Sequence, residues 1–383
     1  MKIVYCINNT WYAGGMTRVL ANKANYLAEN GHKVSIVTVD QLNNKSYYPL
    51  SDKIQQIDLD INYFKYDQKP FLIKSLGFIK NLLLHRKRLK KILKELYPDI
   101  VISMFRKDFY FLPTIKDGSR KILETHVSRY TWQYNRQSNR IVGKLRDFID
   151  ILIIRKYDKF VVLTHEDKPF WGSLENIIVI PNANTFQPAE SSRLDQKIVL
   201  AVGRYNYEKN FSDLIKAWDI IHQKHADWKL KIVGDGYLRE SLQQQIDQMD
   251  LTDFIELTPA TLDIMDMYLS SSVVVLSSHY EGLGMVLLEG QACGVPLVSY
   301  ACKCGPRDII TEGENGFLVD VGDVNMLSDR IQKLISDSDL RMQMGKSAKI
   351  HSEKFSEEAI MAKWLHVFRE LHNYSLKDGR NEE

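Results

Sequence analysis

The sequence of 383 residues is 44% hydrophobic and 26% charged, with four cysteines and a formal net charge of +3. Its length exceeds one ordinary hydrophobic core and predicts two domains of a soluble globular protein. No segment has the roughly 18 uncharged apolar residues of a membrane span, and MKIVYCINN lacks the apolar run of a signal peptide. Four cysteines are too few for a disulfide framework, so we expect reduced thiols and a cytoplasmic location.

The charge differs between the two halves of the chain. Residues 1–190 carry 30 basic and 18 acidic side chains, whereas residues 191–383 carry 21 basic and 30 acidic ones. Chemically different halves support two domains with different partners. Because the polar segment 182–197 lies between them, we predict a first domain at 1–190 and a second at 191–355.

The first half alternates between apolar strands and helical patterns. A strand at 2–7 precedes a loop with two adjacent glycines, Gly14 and Gly15, and then a helix that stops at Gly31. His126 lies just past another strand. The remaining strands of this half are predicted at 33–39, 98–104 and 159–164. Taken alone, a Gly-Gly pair is only a turn and a lone histidine is usually structural.

A basic segment, 74–98, precedes the strand at 98–104. It has eight Lys and Arg residues between positions 74 and 94, with leucines and an isoleucine near helical spacing among them. A basic amphipathic helix can bind an anionic membrane surface peripherally. The alternative is an ordinary helix that packs its leucines against the sheet and leaves a solvated basic face. Nucleic acid is not an expected partner, because no recognised module accompanies the charge.

The second half begins with a strand and two cations. In LAVGRYNYEKNFSDLIKAW, Arg204 and Lys209 lie in the loop between that strand and a helix that begins near Asn210. Arginine can bond a phosphate bidentately and lysine adds a point charge, which suits a diphosphate. The alternative is that both are solvated loop charges. Four strands are predicted here, at 198–203, 230–236, 273–278 and 295–300.

The segment HYEGLGMVLLEGQACGVPLV places a carboxylate among apolar residues. Glu289 lies in a predicted helix that begins near Gly284 and ends at Gly294, and Glu281 lies in the loop before it. A buried carboxylate needs a partner or belongs to a site. A phosphate at the helix start, with the carboxylates accepting sugar hydroxyls, would explain this pattern. Alternatively, Glu289 caps a neighbouring loop and Glu281 is solvated.

Buried strands that alternate with helices form parallel sheets covered on both faces. The sequence therefore predicts an α/β protein of two Rossmann-like domains. Open sheets of this kind bind ligands at the carboxyl ends of their strands, so two such domains in series are expected to face each other across a binding cleft.

The two motifs of the second half are similar to those of a known family. The E-x7-E spacing of Glu281 and Glu289, followed by GPRDIITEGENGFLV, and the G-R-x4-K element with Arg204 and Lys209 resemble the retaining glycosyltransferases of family GT4, which have the GT-B fold. The resemblance covers nearly the whole chain. It implies that Glu281 contacts the donor sugar, that Glu289 holds the ribose, and that both cations stabilise the departing diphosphate without a metal.

Weaker matches extend the resemblance. They imply that the backbone at Gly14 and Gly15 approaches the donor phosphate and acceptor, that His126 lies beside the donor sugar, and that Gly234 lies beside the nucleotide base. The helix start at Gly284, with Met285 and Val286, is expected to bind the donor. Two departures, Pro259 where many members have glycine and Asp308 where glutamate is commoner, leave the base and sugar preference open.

The resemblance implies an enzyme, a retaining hexosyltransferase. The expected donor is a nucleotide-sugar, a UDP-hexose or UDP-N-acetylhexosamine, bound by the second domain. The expected acceptor is a saccharide or a lipid-linked saccharide in surface polysaccharide or glycoconjugate biosynthesis, bound by the first domain. No cofactor or metal is expected, and residues 356–383 should form a helix that packs back on the first domain. A nucleotide-sugar 2-epimerase of the same architecture and a non-catalytic sugar-nucleotide binder remain alternatives.

Overall fold

The computed structural model describes residues 1–12, 14–66, 68–135, 140–261 and 263–377. Within these ranges the strands form two sheets, and every strand pair in both sheets is parallel. The first sheet contains β1 (Lys2–Ile7), β2 (Lys33–Thr38), β3 (Gln55–Asp58), β4 (Ile100–Ser103), β5 (Arg120–Glu124), β6 (Lys159–Val162) and β7 (Ile177–Val179). The second contains β8 (Ile198–Val202), β9 (Lys229–Val233), β10 (Ile255–Thr258), β11 (Val273–Leu276), β12 (Leu297–Tyr300) and β13 (Gly316–Val319). The predicted α/β class with two parallel sheets is confirmed.

Helices connect the strands. Those of the first half are α1 (Gly15–Glu29), α2 (Phe71–Leu96), α3 (Arg129–Asn135) and α4 (Arg140–Ile154). Those that follow are α5 (Phe211–His222), α6 (Arg239–Gln248), α7 (Ile264–Leu269), α8 (Met285–Ala292), α9 (Pro306–Ile309), α10 (Val324–Ser336), α11 (Ser338–Ser352) and α12 (Glu357–Lys377).

The order of strands is β3-β2-β1-β4-β5-β6-β7 in the first sheet and β10-β9-β8-β11-β12-β13 in the second. In each sheet the chain winds outward from a central pair, β1 and β4 or β8 and β11. The loops that follow such a pair diverge and leave a crevice at the carboxyl ends of the strands. Each domain therefore presents one crevice, and the fold places it after β1 and β4 or after β8 and β11.

Alternation along β1 explains why this strand is apolar throughout. Ile3, Tyr5 and Ile7 belong to one buried cluster, whereas Val4 and Cys6 belong to another. Since successive side chains of a strand point to opposite faces, β1 supplies a core on each side of the sheet.

Helix α12 packs against the first domain although it follows the second in sequence. Ile360, Trp364 and Phe368 lie in the same buried cluster as Ile3 and other residues of β1 and α1. Residues 378–383 of the predicted tail lie outside the described part of the chain. Helix α12 therefore packs on the amino-terminal domain.

Helix α2 changes character along its length. Near its carboxyl end Leu89 and Leu93 are fully buried in the first domain, whereas Leu72 and Leu76 near its amino end are 74% and 69% exposed. Arg88 donates hydrogen bonds to the backbone carbonyls of Leu59 and Asp60. The carboxyl-terminal half of α2 therefore packs against the sheet, as an ordinary helix would. The amino-terminal half exposes apolar side chains to solvent. Among the described residues, no helix has the length and apolar character needed to cross a membrane.

The two domains meet at a polar contact near β6. Asp308 on α9 accepts hydrogen bonds from the backbone N–H groups of His165, at 2.7 Å, and Glu166. The Glu166 carboxylate in turn accepts from Lys303 at 2.6 Å and lies 3.3 Å from Arg307. Asp308, which departs from the family pattern, thus contacts the first domain directly.

Candidate active site

A cavity of about 620 Å³ lies between the two domains. Its first-domain wall is formed by the loop after β1, the beginning of α1, Tyr48 and Arg106, which follows β4. Thr185 of the interdomain segment closes one side, and Arg204, Met285 and Glu289 form the second-domain wall. The cavity therefore lies where the strand order of each sheet reverses, as expected for the binding crevice of an open α/β sheet.

Some of the predicted site residues line the cavity, and others do not. Those that line it are Gly14, Gly15, Arg204, Met285 and Glu289. Those that do not are His126, Lys209, Gly234, Glu281, Gly284 and Val286.

Glu289 is held by two hydroxyl groups. Its Oε1 accepts a hydrogen bond from Thr185 Oγ1 at 2.7 Å, and its Oε2 accepts from the Tyr268 hydroxyl at 2.8 Å. Burial and the adjacent carboxylate raise the pKa of Tyr268 well above its usual value, so the phenol remains a donor. A carboxylate offers about four acceptor positions. Glu289 is therefore fixed in orientation and keeps acceptor capacity on the cavity side.

Glu281 is bonded to Lys209. The Lys209 Nζ donates to Glu281 Oε1 at 2.6 Å, and Ser278 Oγ donates to the same oxygen at 2.8 Å. The two charged side chains are only 16% and 12% exposed. The alternatives that Lys209 is a solvated loop charge and that Glu281 is solvated are therefore wrong.

Arg204 differs from its motif partner Lys209. Its side chain is 77% exposed and lines the cavity, and its ion pair with Glu208 is long, at 3.8 Å. Exposed pairs of this kind contribute little to stability. The Arg204 guanidinium can thus turn to an anion in the cavity at small cost.

The glycines of the site fall into two classes. A Cβ at Gly234 would lie 1.9 Å from the carbonyl oxygen of Gly203, so packing alone requires glycine there. By contrast, Gly14 has an extended backbone, and a Cβ at Gly15 would meet no atom of the described residues within 4 Å. The protein itself does not require glycine at these two positions, which both line the cavity.

Gly284 is the residue just before helix α8, and its φ is +91°, a conformation that side-chain-bearing residues rarely adopt. Among the described residues, no side chain caps this end of the helix. The first residue, Met285, lines the cavity, whereas Val286 is buried beside it. The first N–H groups of a helix attract anions, so the amino end of α8 is suited to a phosphate.

His126 lies at the contact between the domains. Its Nε2 is 3.2 Å from Glu124 Oε1. A Cβ at Gly282 would lie only 2.6 Å from the His126 carbonyl oxygen. The loop that carries Glu281 therefore packs directly on His126, and the fold brings these two predicted residues to the same seam.

Several residues of this region were not predicted. Arg18 lies 3.9 Å from Glu289 and 5.8 Å from the centre of the Tyr48 ring. Its position in GGMTR, four residues after Gly14, was a usable signal. Thr185 and Tyr268 carry no signal in the sequence, because tertiary packing alone brings them to Glu289.

The described residues contain no group of three or more His, Cys, Asp or Glu side chains placed to hold a metal ion.

Two family models match the chain, one for each half. "Glycosyltransferase Family 4" matches residues 13–183, and "Glycosyl transferases group 1" matches residues 183–351. An uncharacterized glycosyltransferase of Haemophilus influenzae is 32% identical over 369 residues, which cover 95% of this chain and 98% of that protein. The amylovoran biosynthesis glycosyltransferase AmsD of Erwinia amylovora is 30% identical over 380 residues, with the same coverage of 95% and 98%.

Solved structures agree on the fold. Sucrose-phosphate synthase from Thermosynechococcus elongatus superposes with a TM-score of 0.80 at 20% identity, covering 97% of this chain and 99% of that one. Staphylococcus aureus TarM, in complex with fondaparinux, α-GlcNAc-glycerol and UDP, gives a TM-score of 0.76 at 19% identity and covers 96% and 99%. The chain belongs to glycosyltransferase family 4, has the GT-B fold and is a glycosyltransferase.

Proposed function

We propose that the protein is a retaining hexosyltransferase that uses a UDP-sugar to extend a saccharide in surface polysaccharide or glycoconjugate biosynthesis. The observation that carries the proposal is the interdomain cavity, which combines an exposed cation, Arg204, a fixed carboxylate, Glu289, and the start of α8, which no described side chain caps. These groups suit a diphosphate, a ribose and the link between them. A related protein named for amylovoran biosynthesis, AmsD, and a related structure that contains UDP support this assignment.

In the proposed complex, the nucleotide of the donor binds the second domain. The diphosphate lies between Arg204 and the amino end of α8, and the ribose hydroxyls bond to Glu289 in place of solvent. The sugar then extends toward Glu281 and His126 at the domain seam. The glycines at positions 14 and 15 allow the first-domain backbone to approach the phosphate from the opposite wall.

The proposed reaction occurs on one face of the sugar. The leaving diphosphate departs as the acceptor hydroxyl enters beside it, and a phosphate oxygen takes the acceptor proton. Negative charge grows on the phosphate in an oxocarbenium-like transition state. Arg204, Lys209 and the start of α8 stabilise that charge, so neither a metal nor a carboxylate base is required.

The acceptor lies on the first domain, whose exposed apolar helices favour a lipid-linked saccharide at a membrane. On α4, Leu145 and Phe148 are 60% and 61% exposed. On α2, Leu72 and Leu76 are exposed to a similar degree. Both helices pack on the same buried cluster of the first domain, and α2 also carries exposed lysines. An apolar surface beside cations suits the interface of an anionic membrane.

The experiment that tests the proposal separates the candidate activities. A panel of nucleotide-sugars is screened by thermal shift, and the stabilising donor is incubated with lipid-linked or free oligosaccharides. Transfer with retained anomeric configuration, read by NMR of the product, is the expected result. An inverted linkage would contradict the retaining mechanism. An epimer formed without acceptor would instead favour the 2-epimerase, and binding without any reaction would favour the non-catalytic binder.

A further inference from the structure

A buried ion pair lies behind the predicted histidine. Lys23 of α1 and Glu124 at the end of β5 are 4% and 1% exposed. The Lys23 Nζ donates to both carboxylate oxygens at 2.5 Å. Removing two charges from water is costly, and a well-packed apolar pair is often equally stable at such a position. The pair therefore calls for an explanation beyond stability.

The pair is enclosed by aromatic rings. Burial lowers the pKa of Lys23, and the adjacent Glu124 carboxylate opposes that effect. The Lys23 ammonium lies 4.2 Å from the ring centre of Trp364 on α12 and 5.6 Å from that of Tyr5 on β1. Burial alone would raise the pKa of Glu124, but the ammonium of Lys23, together with the adjacent His126 ring, outweighs burial and holds that pKa at about 2. Glu124 is thus a carboxylate across the physiological pH range.

The carboxylate faces His126. The Nε2 atom of His126 is 3.2 Å from Glu124 Oε1, although the ring is not aligned for a full hydrogen bond. Both ring nitrogens are buried and have no hydrogen-bond partner among the described residues. A buried imidazole with an unsatisfied nitrogen needs a partner, and the loop that carries Glu281 packs on the backbone of the same residue.

We propose that Lys23 and Glu124 are positioning residues for His126. The fixed carboxylate draws the ring proton to Nε2, since a negative oxygen cannot face a lone pair without repulsion. Nδ1 then keeps the lone pair, which a hydroxyl of the bound sugar would reach on donor binding at the seam with the Glu281 loop, since His126 does not line the cavity itself. Lys23 acts through Glu124, because its ammonium orients the carboxylate and balances its charge. The sugar contact rests on the proposed function, whereas the ring tautomer does not.

The first test reads the ring directly. Nitrogen-detected NMR of the full-length protein, with His126 assigned by a His126→Gln variant, reports which ring nitrogen carries the proton. We expect the Nε2–H form in the wild-type protein and its loss in the double variant Lys23→Met/Glu124→Gln. An Nδ1–H ring in the wild type, or a tautomer unchanged in the double variant, would overturn the proposal even if the protein proved not to be a transferase.

The second test separates positioning from stability. Glu124→Gln alone leaves a buried unpaired ammonium and lowers Tm, whereas the double variant removes both charges and should regain most of that Tm. We expect kcat of the double variant to stay about 10- to 100-fold below wild type, by analogy with the residues that orient metal-binding histidines. In a His126→Ala background, the same double substitution should lower kcat no further.

Recovery of kcat together with Tm would show that the pair is only structural. If the double substitution lowered kcat further in the His126→Ala background, the pair would act independently of the histidine. Either result would reject the positioning role.

Discussion

The Lys209 ammonium and the Glu281 carboxylate, which are 72 residues apart in sequence, are hydrogen-bonded at 2.6 Å. The cation expected at the leaving phosphate is therefore the partner of the carboxylate expected at the sugar. Both Lys209 and Ser278 donate to Oε1 of Glu281. Among the described residues Oε2 accepts no hydrogen bond, so this oxygen is available to a sugar hydroxyl while the other remains anchored.

Replacing Lys209 by Ala should lower kcat by roughly 10²–10³, by analogy with the loss of a preorganised oxyanion donor. The substitution removes a cation that we propose stabilises the leaving phosphate, and it leaves the mostly buried Glu281 without its counter-charge. Lys216→Ala is the matched control, because Lys216 is half exposed and pairs with Asp213 on α5. Rates at saturating donor and acceptor check the prediction, and an unchanged kcat for Lys209→Ala would refute the role.

Replacing Glu289 by Gln should act mainly through the donor KM. The amide has one acceptor oxygen, so it cannot accept from Thr185, Tyr268 and a ribose as the carboxylate can. Because the ribose is remote from the reacting bond, its loss weakens ground state and transition state alike. Initial rates across a donor series measure the effect. A fall in kcat at constant KM would place Glu289 at the reacting centre instead.

The fold was largely predictable because buried strands, and the glycines and prolines that end helices and strands, are local features of the sequence. The strand at 2–7 was located to the residue, and α8 was bounded by Gly284 and Gly294. The edge strands β3, β7, β10 and β13 were not predicted, because each has only three or four residues and three of the four are partly exposed. Local sequence therefore located the central strands of each sheet better than the strands at its edges.

Five of the eleven predicted site residues line the cavity, and the sequence did not predict their contacts. Motif spacing identified Glu289, but Tyr268, which orients it, comes from another helix, α7. The buried partner of Glu124 was also missed, since Lys23 lies 101 positions away on α1. Such pairs arise from tertiary packing, and one sequence records each member without its neighbour.

Transfer activity should survive EDTA. The proposed charge stabilisation comes from Arg204, Lys209 and the amino end of α8, which need no metal ion. Activity of the purified protein is measured after exhaustive chelation and again with Mg²⁺ or Mn²⁺ restored. We expect equal rates within about twofold. Strict dependence on the restored metal would reject metal-independent catalysis.

The apolar surface of α2 and α4 should bind anionic vesicles. Replacing Leu72, Leu76, Leu145 and Phe148 by Ser should weaken binding in a flotation assay. Each substitution removes exposed apolar area that would otherwise be buried in the membrane interface. Replacing the exposed Met342 and Ile350 of α11 by Ser serves as the control on the second domain.

Within the basic part of α2, Lys87, Lys90 and Lys91 are exposed and suited to lipid, whereas Arg88 is tied to backbone carbonyls. Serine at the three lysines should reduce binding to anionic vesicles more than to neutral ones. Unchanged binding of both sets of variants would leave α2 as an ordinary structural helix.

Asp108 should make the protein less stable at neutral pH than at mildly acid pH. This residue lies beside β4 and is 1% exposed, and burial raises the pKa of its carboxyl from 3.8 to about 6 while Ser103 offsets only part of the effect. The protonated form is favoured by folding, so its contribution is fully present below pH 3.8 and is lost as the pH rises through 6. A shift of about two pKa units corresponds to about 3 kcal/mol of unfolding free energy at pH 7.

Asp108→Asn removes this titration, because an amide keeps the shape of the protonated carboxyl and never ionises. At pH 7 the variant should unfold at higher urea concentration than the wild type, by up to about 3 kcal/mol, and the difference should shrink below pH 6 and disappear near pH 4. Asp52→Asn, at an exposed position, controls for the general loss of a negative charge. A variant that is less stable at pH 7, or a gain that does not depend on pH, would show that Asp108 is ionised and satisfied in the folded protein.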